Sequence, residues 1–166
     1  TSGEPWLDKN LLIDGSALAK GIQISGNHNS RIFYISNNAD PVLNSLTLLN
    51  AAGGGGDGGA LYNAGNPILN NCTFTGNSAG SGGALKNASG SLILNECTFT
   101  GNATAGGGGG AIVNYALLLV NTCTLTTNSA GIFGGAIYNE TGGTVNMNNS
   151  IAAGNRSEER RVGKEC

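Results

Sequence analysis

The sequence predicts an all-β fold, a parallel β-helix (solenoid) of about five to six rungs with ~25 residues in each. Three observations predict it. A six-residue block occurs four times, a second block keeps phase with it, and the composition is that of turns and short strands. Gly accounts for 29 of the 166 residues and Asn for 23, while charged residues make up 11% and aromatics 5%. Gly and Asn suit tight bends, and Thr, Val and Ile suit the strands between them.

The first block reads Gly58-Gly59-Ala60-Leu61-Tyr62-Asn63, then Gly82 to Asn87, Gly109 to Asn114 and Gly134 to Asn139, at steps of 24, 27 and 25 residues. The second reads Cys72-Thr73-Phe74-Thr75-Gly76-Asn77, then Cys97 to Asn102 and Cys123 to Asn128, with a degenerate copy from Ser150 to Asn155. Between the blocks lie short apolar alternations: Ile68-Leu69, Leu92 to Leu94, Leu117 to Val120 and Val145 to Met147. Each repeat thus offers three stretches too short for helices. Residues 1–155 are expected to form one β-helix, with 1–42 as irregular first turns and 43–155 as regular repeats. Leu11 to Ile13, Ile22 to Ile24 and Ile32 to Ile35 supply the apolar pieces of that early part.

Stacking at ~4.8 Å per rung makes equivalent residues into ladders. Leu69, Leu94, Val120 and Met147 are expected to form one apolar column, and Phe74, Phe99, Leu125 and Ala152 another. Asn70, Asn95, Asn121 and Asn148 are expected to bond up and down the stack at one bend. Asn63, Asn87, Asn114 and Asn139 serve a second bend, and Asn77, Asn102, Asn128 and Asn155 a third. Cys72, Cys97 and Cys123 share inward parity with the Phe or Leu two residues on, so they are expected as buried structural thiols.

The pairing of G-G-A-[LI] with F-x-x-N resembles the repeats of polymorphic outer-membrane proteins and related autotransporter-like adhesins. The residues that carry it are the four Gly-Gly-Ala blocks, Phe74 to Asn77 and Phe99 to Asn102. Leu125 and Ala152 depart from the Phe position. The resemblance implies a right-handed parallel β-helix in a bacterial, secreted or surface-displayed passenger used for adhesion. It carries no catalytic residue, because the motif residues are architectural.

The last eleven residues, Arg156 to Cys166, hold four of the eight bases and three of the ten acids. The run resembles a translated sequencing-library adapter and is read as an artefact tail. Setting it aside leaves seven acids and four bases. No basic stripe suited to nucleic acid is present, and no apolar run approaches a membrane span. Thr1 stands where an initiator Met would, and no signal peptide follows, which is read as the mark of a fragment.

No catalytic, cofactor or metal site is expected. Between Leu43 and Asn155 the acids are Asp57, Glu96 and Glu140 and the one base is Lys86, with no two acids on a shared ladder. A groove enzyme on this fold needs converging carboxylates. The single His, His28, lies in loop composition. The run Gly53 to Gly59 has one Asp and lacks tandem nine-residue copies, so it is read as a turn rather than a calcium site. The run Gly106 to Gly110 lacks the Lys of a phosphate loop.

Thr73 and Thr75, Thr98 and Thr100, and Thr124 and Thr126 point away from the Cys and Phe side and form an outer array. The array is a candidate binding face. It also resembles the ice-binding face of β-helical antifreeze proteins, although Thr is simply a good exposed strand residue. Asn-x-Ser/Thr sequons arise by chance in so Asn-rich a chain. The resulting expectation is a non-catalytic extracellular module that presents a repetitive surface to a glycan or protein partner. A β-helical polysaccharide lyase or hydrolase with its catalytic residues elsewhere is the alternative.

Overall fold

A computed structural model describes residues 4–53 and 56–157. Its strands form three six-stranded sheets and one four-stranded sheet, every pair parallel. The first sheet stacks Trp6–Leu7, Phe33–Ile35, Leu61–Asn63, Leu85–Asn87, Ile112–Asn114 and Ile137–Asn139. The second stacks Leu12–Asp14, Val42–Asn44, Ile68–Asn70, Ser91–Asn95, Leu117–Asn121 and Thr144–Asn148. The third stacks Ile22–Ser25, Leu46–Leu49, Thr73–Thr75, Thr98–Thr100, Thr124–Thr126 and Ile151–Ala153. The fourth holds the two-residue strands Ser78–Ala79, Ala103–Thr104, Ser129–Ala130 and Arg156–Ser157. From Leu61 on, each coil of chain visits all four sheets once and then climbs a rung; the two coils before it visit the first three, and the whole gives about six turns of about 26 residues.

The fourth sheet corrects the expectation of three strands per repeat. Its strands follow the buried asparagines Asn77, Asn102 and Asn128 and carry no apolar alternation, so periodicity had nothing to detect. The irregular opening also joins the stack: Trp6 pairs with Tyr34, Ile13 with Leu43 and Gln23 with Thr47. Arg156 and Ser157 pair with Ser129 and Ala130, and the rest of the expected artefact tail, Glu158 to Cys166, lies outside the described residues.

Alternation on each strand sends every second side chain inward. Leu43, Leu69, Leu94 and Val120 are fully buried in one column, and Leu48, Phe74, Phe99 and Leu125 in another. The rings of Phe74 and Phe99 stack at 4.6 Å and 3° between planes. Burying one such side chain contributes roughly 1.5–3 kcal/mol, so these columns supply much of the folding free energy. The columns do not stay buried to their last members. Met147 is 42% exposed, and Ala152 is exposed too, because no described rung covers them.

The Gly-Gly-Ala block is explained residue by residue. Its first glycine has a left-handed backbone, with φ of 64°, 61°, 72° and 61° at Gly58, Gly82, Gly109 and Gly134. Its second has no room for a side chain: a Cβ on Gly59 or Gly83 would lie 2.2 Å from the carbonyl oxygen of the glycine one rung up. Its alanine (Ala60, Ala84, Ala111) is fully buried. The corners use left-handed residues as well, but they are neighbours of the ladder asparagines rather than the ladder itself. Ser45, Asn71, Glu96, Thr122 and Asn149 turn the chain between the second and third sheets. Asn50, Gly76, Gly101, Thr127 and Gly154 turn it after the third.

Candidate binding surface

All three asparagine ladders form. Asn63 donates to Asn87, Asn87 to Asn114 and Asn114 to Asn139, at 2.7–2.8 Å. Asn77, Asn102 and Asn128 each donate to the next rung up at 2.9–3.0 Å, ending on Asn155. The third ladder runs the other way: Asn148, Asn121 and Asn95 donate down to Asn70, which donates to Asn44. The first two ladders are mostly interior and the third is half-buried, becoming exposed at Asn148. These residues are therefore consumed by architecture.

Cys72, Cys97 and Cys123 are free thiols buried in the core, each 1% exposed. Their Sγ atoms donate to backbone carbonyls one rung below, Cys72 to Leu43 at 3.4 Å and Cys97 to Leu69 at 3.5 Å. Hydrogen bonding to the thiols of Cys123 and Cys72, together with burial, pushes the central Cys97 thiol well above its ordinary value. The column behaves as a stack of small hydrophobes.

The threonine array lies in register on the outer side of the third sheet. Thr73, Thr98 and Thr124 align, as do Thr75, Thr100 and Thr126. The first row extends down to Thr47 and Gln23 and is bounded above by Ile151, while Leu49 and Ala153 bound the second. Thr100 Oγ1 is already hydrogen-bonded to Thr127 Oγ1 at 3.1 Å. Beside the first rungs, Thr47 and Thr73 border a depression of about 490 Å³ with Lys20 and Asn71.

A second surface was only half visible in the sequence, where the Gly-Gly-Ala blocks align Tyr62 with Lys86. On the outer side of the first sheet, the register places Trp6, Tyr34, Tyr62 and Lys86 in one column. Trp6 and Tyr34 stack at 4.5 Å and 19°, and Tyr34 and Tyr62 at 4.8 Å and 5°. The Lys86 ammonium then takes the place of a ring, 5.7 Å from the Tyr62 centroid and 4.7 Å from that of Tyr115. Lys86 also pairs with Asp57. Tyr115 donates to Glu140 at 3.3 Å, and burial is the main cause raising its phenol above the ordinary value. Further up, Val113 is buried, and Tyr138 lies against Gly108 and Phe133.

Arg31 braces the lower part of this face. Its guanidinium donates to Glu4 at 2.5 Å, to the Gly58 carbonyl at 2.9 Å and to the Asp57 carbonyl at 2.6 Å, and lies 5.4 Å from the Tyr62 centroid. This bracing pins the described part of the Gly53 to Gly59 run. His28 sits in a turn with φ of 54° and Glu96 at a corner with φ of 55°, both remote in role from the aromatic column. Among the described residues, no cluster of three His, Cys, Asp or Glu side chains has metal-site geometry. No helix among them is long and apolar enough to cross a membrane.

With the coil in view, comparison with known families is decisive. The chain matches the family described as right handed beta helix region over residues 10–163. It belongs to that family. The parallel coil above is accordingly a right-handed β-helix. No curated protein and no solved structure matches the chain.

Proposed function

We propose that this right-handed β-helix is a non-catalytic binding segment of a bacterial, adhesin-like protein displayed outside the cell, which holds its outer faces toward a glycan or protein partner. The observation that carries the reading is the in-register column Trp6, Tyr34, Tyr62 and Lys86 along one face. Such a column repeats at the rung spacing and suits an extended, repeating ligand, whose modest contacts per rung add along the axis. The charged groups beside it support the same reading, since they bond to one another. Arg31 holds Glu4, Lys86 holds Asp57, and Glu140 accepts from Tyr115. The likeness of the Gly-Gly-Ala and Phe-x-x-Asn blocks to polymorphic outer-membrane protein repeats adds the surface-displayed context.

A glycan array run beside a lyase and hydrolase screen on the same chain tests the proposal. Binding without turnover is expected. Release of unsaturated or reducing sugar ends from any polysaccharide, abolished by changing a carboxylate of this chain, would overturn it in favour of an enzyme.

A further inference from the structure

The second sheet differs from the first and third in being apolar on both sides. Its strands read Ile68-Leu69, Leu92 to Leu94 and Leu117 to Val120, apolar at successive positions, whereas the third sheet alternates with threonines. Parallel strands carry such continuous runs when both faces of their sheet are covered. The inward members, Leu69, Leu94 and Val120 among them, are covered by the core. The register sets Leu12, Val42, Ile68, Ile93 and Leu119 in one column on the outer side. The last four of these each have a described rung above and below, so what stays open is the side of the coil. We infer that this outer face docks on the same face of a second copy of the chain, forming a two-fold dimer. The inference does not rest on the glycan reading, which uses the outer side of the first sheet.

Period, charge and area select a second copy as the occupant. The column repeats at the rung spacing of ~4.8 Å, and an identical face repeats at the same spacing, so the ridges of one seat between those of the other along the whole stack. A docked helix rises ~5.4 Å per turn and falls half a step out of phase after about four or five rungs. Among the described residues, Asp14 is the one charged side chain on the strands of this sheet, so two copies bring little like charge together. The asparagines beside the column bond along the stack, Asn121 to Asn95 and Asn95 to Asn70, and keep those bonds when covered. Six strands of up to five residues outline a face of about 29 by 16 Å, or roughly 950 Å² for the two partners. Side-chain relief brings that to the ~1,000 Å² at which specific, weak interfaces begin. The two-fold pairing is self-complementary and uses up the face, so it closes at two chains.

Sedimentation velocity of the chain across loadings from about 1 μM to about 1 mM tests the dimer, a range that spans weak association. The mass is expected to rise reversibly from one chain toward two and to stop there. Ile93→Lys places two ammonium groups in the symmetric interface and should weaken association about tenfold or more. Ile68→Lys, one rung lower, should do the same, so the outcome does not depend on a single variant. Thr98→Lys, in the same coil but on the third sheet, should leave association unchanged. Thermal melts of each variant establish that the fold is intact. A chain that stays monomeric throughout overturns the inference. So does association, or growth past two chains, that both Ile→Lys variants leave undiminished, since the contact then lies elsewhere on the coil. Flotation of a monomeric chain with phosphatidylcholine vesicles, abolished by Ile93→Lys, would give the face to lipid and overturn it as well.

Discussion

The side-chain oxygen of Asn102 accepts two hydrogen bonds from Asn77, one from its amide Nδ2 at 3.0 Å and one from its backbone N–H at 3.1 Å. Asn102 in turn donates from its own amide to the Phe74 carbonyl at 3.0 Å and to Asn128 at 2.9 Å. One fully buried side chain thus ties three rungs together and satisfies backbone groups that no strand partner reaches.

Asn102→Ala should therefore cost far more than a surface change. It strands a buried donor on Asn77 and a buried acceptor on Phe74, each worth about 1–3 kcal/mol when left unpaired. A loss of about 3 kcal/mol or more in urea denaturation is expected. Asn148→Ala, at the exposed end of the outer ladder, should cost under about 1 kcal/mol. Equal losses in the two variants would contradict the distinction between interior and outer ladders.

Thr127 occupies a corner that Gly76, Gly101 and Gly154 fill in other rungs, and it does so at φ of 54°. A β-branched residue there carries strain of about 1–2 kcal/mol. A side chain at this corner meets no steric barrier, since a Cβ on Gly101 has nothing within 4 Å, so the strain is in the backbone alone. Thr127→Gly should raise stability by about 1 kcal/mol despite the greater freedom glycine gives the unfolded chain. An unchanged or lower denaturation midpoint would show that the hydroxyl contacts of Thr127 outweigh the strain.

The threonine rows are expected to be ordinary exposed strand surface. Their lattice is short and bounded by Leu49, Ile151 and Ala153, and Thr100 spends its hydroxyl on Thr127. Thr98→Ala should change stability by no more than about 0.5 kcal/mol. Nanolitre osmometry should detect no thermal hysteresis in the wild-type chain. A measurable gap between melting and freezing, reduced by Thr98→Ala or Thr100→Ala, would make the array an ice-binding face.

The ladders were legible in the sequence because asparagine, cysteine and phenylalanine return as identical residues at nearly constant steps. The aromatic column was legible only in part, for a physical reason. Tyr62 and Lys86 hold the same place in the Gly-Gly-Ala block, so that half of the column was legible; Trp6 and Tyr34 lie upstream of the first copy of the block, in segments that share none of its residues. Only pairing across the sheet reveals that Trp6 and Tyr34 continue the column. The ion pair of Lys86 with Asp57 was hidden in the same way, since the two residues lie 29 apart and one of them sits in a glycine turn. Burial of the last rung was overestimated because a pattern of alternation shows which way Met147 and Ala152 point, but not whether anything covers them.

The stacked thiols provide a test of the interior that does not depend on any ligand. Cys72, Cys97 and Cys123 are each 1% exposed, and Cys97 has a thiol on either side of it. The thiolate is the reactive form, and the raised Cys97 value keeps that thiol protonated at neutral and mildly alkaline pH. Iodoacetamide labelling at pH about 8, close to the ordinary thiol value, followed by peptide mapping, should leave all three unmodified in the folded chain. Labelling should appear together at the three positions as urea unfolds the coil, because stacked rungs expose them in one transition. Rapid labelling of Cys97 in the absence of urea would mean that the third sheet opens locally, and the inward parity of the column would then have to be abandoned.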